Sequence, residues 1–118
     1  MKTAYADIEP FITKDGSLIR ELLHPARHGA LDVSFAEATV EPGCTTLSHL
    51  HRASAEIYHV TAGTGTMRLG ESAFAIQRGD SIAIPPGTRH NVTNTGVDAL
   101  KILCVCCPAY ADGDTVLV

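Results

Sequence analysis

Three histidines and one glutamate carry the chemistry that this 118-residue chain announces. His49-x-His51, on extended backbone, sets two imidazoles on one side of a strand about 6 to 7 Å apart. That spacing suits two ligands converging on one ion at about 2 Å from each ring nitrogen. Glu56 follows after a short connection and can offer a carboxylate oxygen from the neighbouring strand. His90 lies far along the chain, so only folding brings it to the same place. Three nitrogens and one oxygen form a borderline donor set for a single divalent transition metal, Fe, Mn, Ni, Zn, Co or Cu. With a six-coordinate ion it leaves two positions open. Buried together without a cation, the same four groups would be costly.

The elements that must position these residues read as short extended runs separated by turns. Thr13-Lys14-Asp15-Gly16 is a turn signal after a short apolar start, and the region around Pro25 and Gly29 reads as an irregular loop. Residues 31–40, 47–51, 55–60, 66–69, 73–76, 81–84, 90–94 and 99–107 read as strands, about ten in all with those near the start. No helical period stands out after Ala30. Alternation turns His49 and His51 inward and Leu50 and Arg52 outward. Glu56 shares its parity with Tyr58 and Val60, while His59 has the opposite parity. Ser34, Ala36, Ala38 and Val40 give one strand a small-residue inner face, with Glu37, Thr39 and Glu41 expected in solvent. Leu100, Ile102, Cys104 and Cys106 turn inward opposite Lys101.

Small inner residues leave room beside the ion for a small-molecule ligand. Tyr58 is the inward titratable group besides the ligands and thiols, either a donor to substrate, and so the candidate catalytic residue, or a filler of the interior. Arg52 and Arg68 face outward, and Asp80 and Arg89 fall in turns. The pocket is therefore expected to be poor in acids and bases of its own. His24 and His28 are four apart, but Pro25 and Gly29 disfavour a helix that would align them, so they and His59 read as loop or surface histidines.

The length fits one domain over 1–118, with 1–30 an amino-terminal strand and loop segment. A net charge of −4 with scattered Lys and Arg argues against a nucleic-acid partner. No apolar run reaches membrane-spanning length, and the first ten residues lack an apolar signal core, so a cytoplasmic protein is expected. The four cysteines, Cys44, Cys104, Cys106 and Cys107, read as reduced thiols packed in a core. A Cys-x-Cys-Cys soft-metal site matches none of the common zinc spacings.

Two motifs in 43–94 carry a resemblance. Gly43-x5-His49-x-His51-x4-Glu56-x6-Gly63 and Gly79-x5-Pro85-x-Gly87-x2-His90-x3-Asn94 resemble the two motifs of the cupin superfamily at every defined position, fifteen residues apart. The resemblance implies an all-β, jelly-roll-like barrel, also called a double-stranded β-helix. It implies His49, His51, Glu56 and His90 as metal ligands, and a homodimer as a common state. Fold does not dictate reaction, and three functions stay open. They are a small-molecule dioxygenase, slightly favoured by the donor set; a metal-dependent isomerase or lyase acting on a sugar or hydroxy-carbonyl compound; and a barrel that binds a small ligand without turnover. The lack of a positioned base counts against the isomerase.

Overall fold

The computed structural model describes residues 1–118 and contains eleven strands. They are β1 (Phe11–Ile12), β2 (Leu18–Leu23), β3 (Ser34–Val40), β4 (His49–His51), β5 (Ala55–Ala62), β6 (Thr64–Leu69), β7 (Ser72–Gln77), β8 (Ser81–Ile84), β9 (His90–Asn94), β10 (Leu100–Cys107) and β11 (Thr115–Leu117). Six of them pair in the order β1-β2-β3-β10-β5-β8, and five in the order β11-β4-β9-β6-β7, with every pairing antiparallel. The two sheets face each other as an open jelly roll rather than a closed barrel. No helix is long and apolar enough to cross a membrane.

Alternation decides what lies between the sheets. Along β5, Glu56, Tyr58 and Val60 point inward, opposite Cys106, Cys104 and Ile102 of β10. Walking from Glu56 to Val60 therefore leads from polar groups into the apolar core, where Val60, Met67, Leu100 and Ile102 lose nearly all contact with solvent. At about 1.5–3 kcal/mol for each such side chain, this end of the molecule anchors the fold and leaves the other end free to hold polar groups. The inner face of β3 is small, as expected. Glycine is required where β5 turns into β6: Gly63 has φ +86°, and a Cβ there would sit 2.7 Å from the Ala99 carbonyl oxygen.

Three expectations are corrected. Residues 25–28 form one helical turn, α1 (Pro25–His28), because proline suits the first helical position and Gly29 accepts positive φ at its end. The His24 ring caps it by accepting from the Ala26 amide, and His28 Nδ1 accepts from the His24 amide. Thr39 is buried although it faces outward, because the amino-terminal segment packs back over β2 and β3, with Tyr5 bonded to Glu37 and Arg20 to the Ile8 carbonyl. Of the four free cysteines only Cys104 and Cys106 are buried, whereas Cys44 and Cys107 are exposed.

Candidate metal centre

The five-stranded sheet brings the histidines together. His49 of β4 pairs in register with His90 of β9, so the two side chains leave adjacent strands on the same face, with ring centroids 4.3 Å apart. His51, two residues on, keeps that parity, at 5.2 Å from His49 and 5.6 Å from His90. One nitrogen from each ring lies within 4.8 Å of the other two. Glu56 reaches across from the opposite sheet, its Oε1 3.1 Å from His51 Nε2 and 3.5 Å from His90 Nε2. All four side chains are buried.

Hydrogen bonds at the far ring nitrogens decide what points inward. His49 Nδ1 is 2.8 Å from the Leu47 carbonyl and His90 Nδ1 is 2.8 Å from the Thr88 carbonyl. A carbonyl only accepts, so both rings carry their proton on Nδ1 and direct an Nε2 lone pair into the centre. His51 Nδ1 lies 3.0 Å from Thr115 Oγ1, which donates its own proton to the Ala111 carbonyl and so accepts from the ring. His90 Nε2 is fully buried and has no hydrogen-bond partner at all. Three lone pairs and a carboxylate oxygen thus converge with no donor among them, an arrangement a cation relieves and little else does. Donor, burial and orphaned nitrogen all fit a divalent metal ion.

The electrostatics agree. Burial and the nearby His90 lower the His49 pKa below its ordinary value of 6.5, which keeps the ring in the neutral, ligating form. Burial pushes the Glu56 carboxyl up, but the close approach of the His51 and His90 rings outweighs it and brings the value down to about 2. Cys106 Sγ donates to Glu56 Oε2 at 3.1 Å, leaving Oε1 for the histidines. Burial and the charge of Glu56 push the Cys106 thiol up, so it stays a donor. Tyr58 sits with its ring 5.9 Å from His90. Burial and Glu56 raise its pKa well above 10.0, so its hydroxyl can donate but does not act as a base near neutrality.

Beside these groups lies a cavity of about 60 Å³, room for roughly four to six waters at about 10–15 Å³ each. It takes in the small face of β3 and His49, His51, Glu56 and Tyr58. It is not as poor in titratable groups as the alternation suggests, because Asp15, Glu21 and Tyr110 also line it, supplied by segments outside the motifs. No Lys or Arg lines it. Asp15 belongs to the turn between β1 and β2, and Tyr110 to the link between β10 and β11. The Thr13–Gly16 turn signal placed Asp15 in a turn but gave nothing to say that the turn folds over the site. Thr115 likewise carries no local signal that places it against His51.

Thr115 therefore has a measurable job. Replacing it with valine removes the acceptor for His51 Nδ1 and is expected to weaken divalent-metal binding by about 10- to 100-fold, read by chelator competition. An affinity unchanged within twofold would show that His51 needs no such support. Asp114, next to it, accepts from the amides of Ala53 and Ser54 at 2.8 and 3.1 Å and holds the turn between His51 and Glu56. Asp114→Ala is expected to cost roughly 1–2 kcal/mol in urea unfolding, and no measurable loss would mean that the turn holds without it.

The fold is a double-sheet jelly roll with three histidines placed where they could hold a metal ion, and comparison with known proteins gives the family. The chain belongs to the Cupin_2 family, whose cupin-domain model matches residues 36–106. It is 49% identical to MJ1618, an uncharacterised protein of Methanocaldococcus jannaschii, over 98% of this chain and 92% of the relative. It is 33% identical to SchB of Streptomyces halstedii, over 79% of this chain and 67% of that one. Among solved structures it is similar to a predicted oxalate decarboxylase of Thermotoga maritima (TM-score 0.78, 26% identity, 92% of this chain and 99% of that one). It also shares the fold of Pac13, a nucleoside dehydratase from Streptomyces (TM-score 0.80, 21% identity, 100% of this chain and 90% of that one).

Proposed function

We propose that the protein is a mononuclear metalloenzyme that holds one divalent transition metal through His49, His51, His90 and Glu56 and acts on a small organic molecule in the adjoining cavity. The observation that carries this reading is the buried, unpartnered Nε2 of His90, aimed with two other imidazole lone pairs at a carboxylate. When bound, the ion supplies Lewis acidity and, if redox-active, electron transfer. The chain supplies the rest. Leu47, Thr88 and Thr115 fix the three rings, Cys106 fixes Glu56, and Tyr58 offers a proton-bearing hydroxyl to the substrate. The lack of a basic side chain in the cavity favours a neutral or singly charged substrate over a dianion such as oxalate.

A dioxygenase-type oxidation is the reading favoured by a donor set of three histidines and one carboxylate beside a cavity, while the Asp15 and Glu21 carboxylates in that cavity supply the base that a lyase or isomerase needs. A lyase or isomerase is the second reading, supported by the likeness to a predicted oxalate decarboxylase. Oxygen uptake by the Fe²⁺-loaded protein with a panel of small phenols, diketones and thiols tests the choice. Uptake that is lost with Zn²⁺ supports the first reading. Turnover without oxygen that survives Zn²⁺ moves the assignment to the second. No turnover by either loaded form, together with tight retention of a ligand, moves the assignment to a protein that binds a small molecule without turnover. Tyr58→Phe is expected to leave metal affinity within about twofold while lowering turnover, since the hydroxyl is no ligand; a large loss of metal would reassign it.

A further inference from the structure

Asp15 stands outside both motifs, yet the fold carries it to the edge of the centre. Its Oδ1 accepts three hydrogen bonds, from Thr13 Oγ1 at 2.8 Å, the Ser17 amide at 2.9 Å and Ser17 Oγ at 2.6 Å. These fix the carboxylate plane and leave Oδ2 turned toward His49 Nε2 at 3.7 Å, with only 13% of the side chain exposed. The His49 proton is already engaged at Nδ1 with the Leu47 carbonyl, so two acceptors face each other across that gap. Lys14, the neighbouring cation, does not serve Asp15; its Nζ binds the Asp112 and Thr115 carbonyls instead.

We infer that Asp15 Oδ2 is a fifth protein donor to the ion, delivered by the turn between β1 and β2. The inference rests on the metal-binding reading above and refines it. Bonds of about 2.1 Å in an octahedral site place neighbouring donors about 3.0 Å apart and opposite ones about 4.2 Å apart. The separations of 3.1 Å (His51–Glu56), 3.5 Å (His90–Glu56) and 3.7 Å (His49–Asp15) fall in that range, while only the three histidine nitrogens all lie within 4.8 Å of one another, so the two carboxylates must close on the ion as it binds. The turn is tied to the residues that orient the ligands. The Leu47 amide donates to the Asp15 carbonyl at 2.7 Å while the Leu47 carbonyl holds His49. Lys14 grips the backbone of Thr115, whose hydroxyl holds His51. Two carboxylates balance a 2+ charge and shift the preference toward Mn and Fe. Five donors leave one of six positions, so a substrate enters through a single atom unless Asp15 gives way.

The test uses the full chain with Mn²⁺ and Co²⁺ as probes. Asp15→Asn keeps an Oδ1 acceptor for Thr13 and Ser17 and removes only the second oxygen. It is expected to weaken Mn²⁺ binding at least tenfold by chelator competition, and to intensify the visible absorption of bound Co²⁺ as the coordination number falls. In the unsubstituted protein, Mn²⁺ is expected to slow hydrogen exchange at the Ser17 and Leu47 amides, a readout that requires no variant. An Mn²⁺ affinity within twofold of the parent with a superimposable Co²⁺ spectrum overturns the inference, and so does an absence of Mn²⁺-induced protection at those two amides. If the unsubstituted protein binds neither ion, both the inference and the metalloenzyme reading fall. Tight binding by the parent with an indifferent Asp15→Asn removes only the inference.

Discussion

Alanine at both His49 and His51 is expected to abolish stoichiometric metal while the circular dichroism spectrum stays all-β. The two rings supply half of the four motif donors, and structural zinc sites draw about 10–16 kcal/mol from a full set. Losing two should cost roughly 10⁴-fold in affinity or more. The fold should tolerate the change because its anchor lies elsewhere, in Val60, Met67, Leu100 and Ile102 at the other end of the sandwich. The cost to the scaffold is the loss of donors to the Leu47 carbonyl and the Thr115 hydroxyl, at about 1 kcal/mol each, together with the cavity left by two buried rings. Elemental analysis after dialysis against excess metal reads the outcome, and full occupancy in the double variant would overturn the ligand assignment.

Acidification is expected to strip the metal between about pH 6.5 and pH 4. Protons compete with the ion for the imidazole nitrogens, so binding weakens as the pH falls. The lowered pKa of His49 delays its share of that competition, and Glu56, held at about 2, stays ionised throughout. The histidines therefore set the release. The metal-free protein should lose stability in the same direction. His49 has a folded pKa below its unfolded one, so the unfolded chain binds more protons between the two values, and stability falls as pH drops below 6.5. Glu56 contributes stability that is complete above 4.5 and is lost as pH falls toward 2. Metal content measured after equilibration from pH 8 to pH 4, with urea unfolding of the metal-free protein over the same range, checks both. Metal retained in full at pH 4 would contradict the assignment of imidazole ligands.

Where the chain was legible, local rules were enough. Inner and outer faces of β5 and β10 follow from period-two alternation, and the turn glycines Gly43, Gly63, Gly79 and Gly87 all adopt positive φ. Asn94 bonds its own turn, with Oδ1 accepting from the Gly96 amide. Where the chain misled, a local signal was weighed wrongly or a distant segment intervened. Pro25 opposes a helix by local propensity, yet at the first helical position it starts one. Thr39 has the parity of a solvent residue, and only the folding back of the amino-terminal segment buries it.

The sequence alone determined the strand pattern, the faces of its strands and the shared face of His49 and His51, because each depends on residues a few positions apart and on backbone geometry, whereas His90 joins them only through the pairing of β4 with β9. Tertiary structure alone decided that Asp15, Tyr110 and Thr115 enclose the same cavity. Thr115 lies 64 residues from the His51 it supports, joined by the pairing of β11 with β4. Asp15 reaches His49 through a turn whose composition describes its bend but not its destination. Periodicity records which way a side chain points from its own strand. Which strand lies opposite is settled by burial summed over the whole sandwich, and no single segment carries that sum.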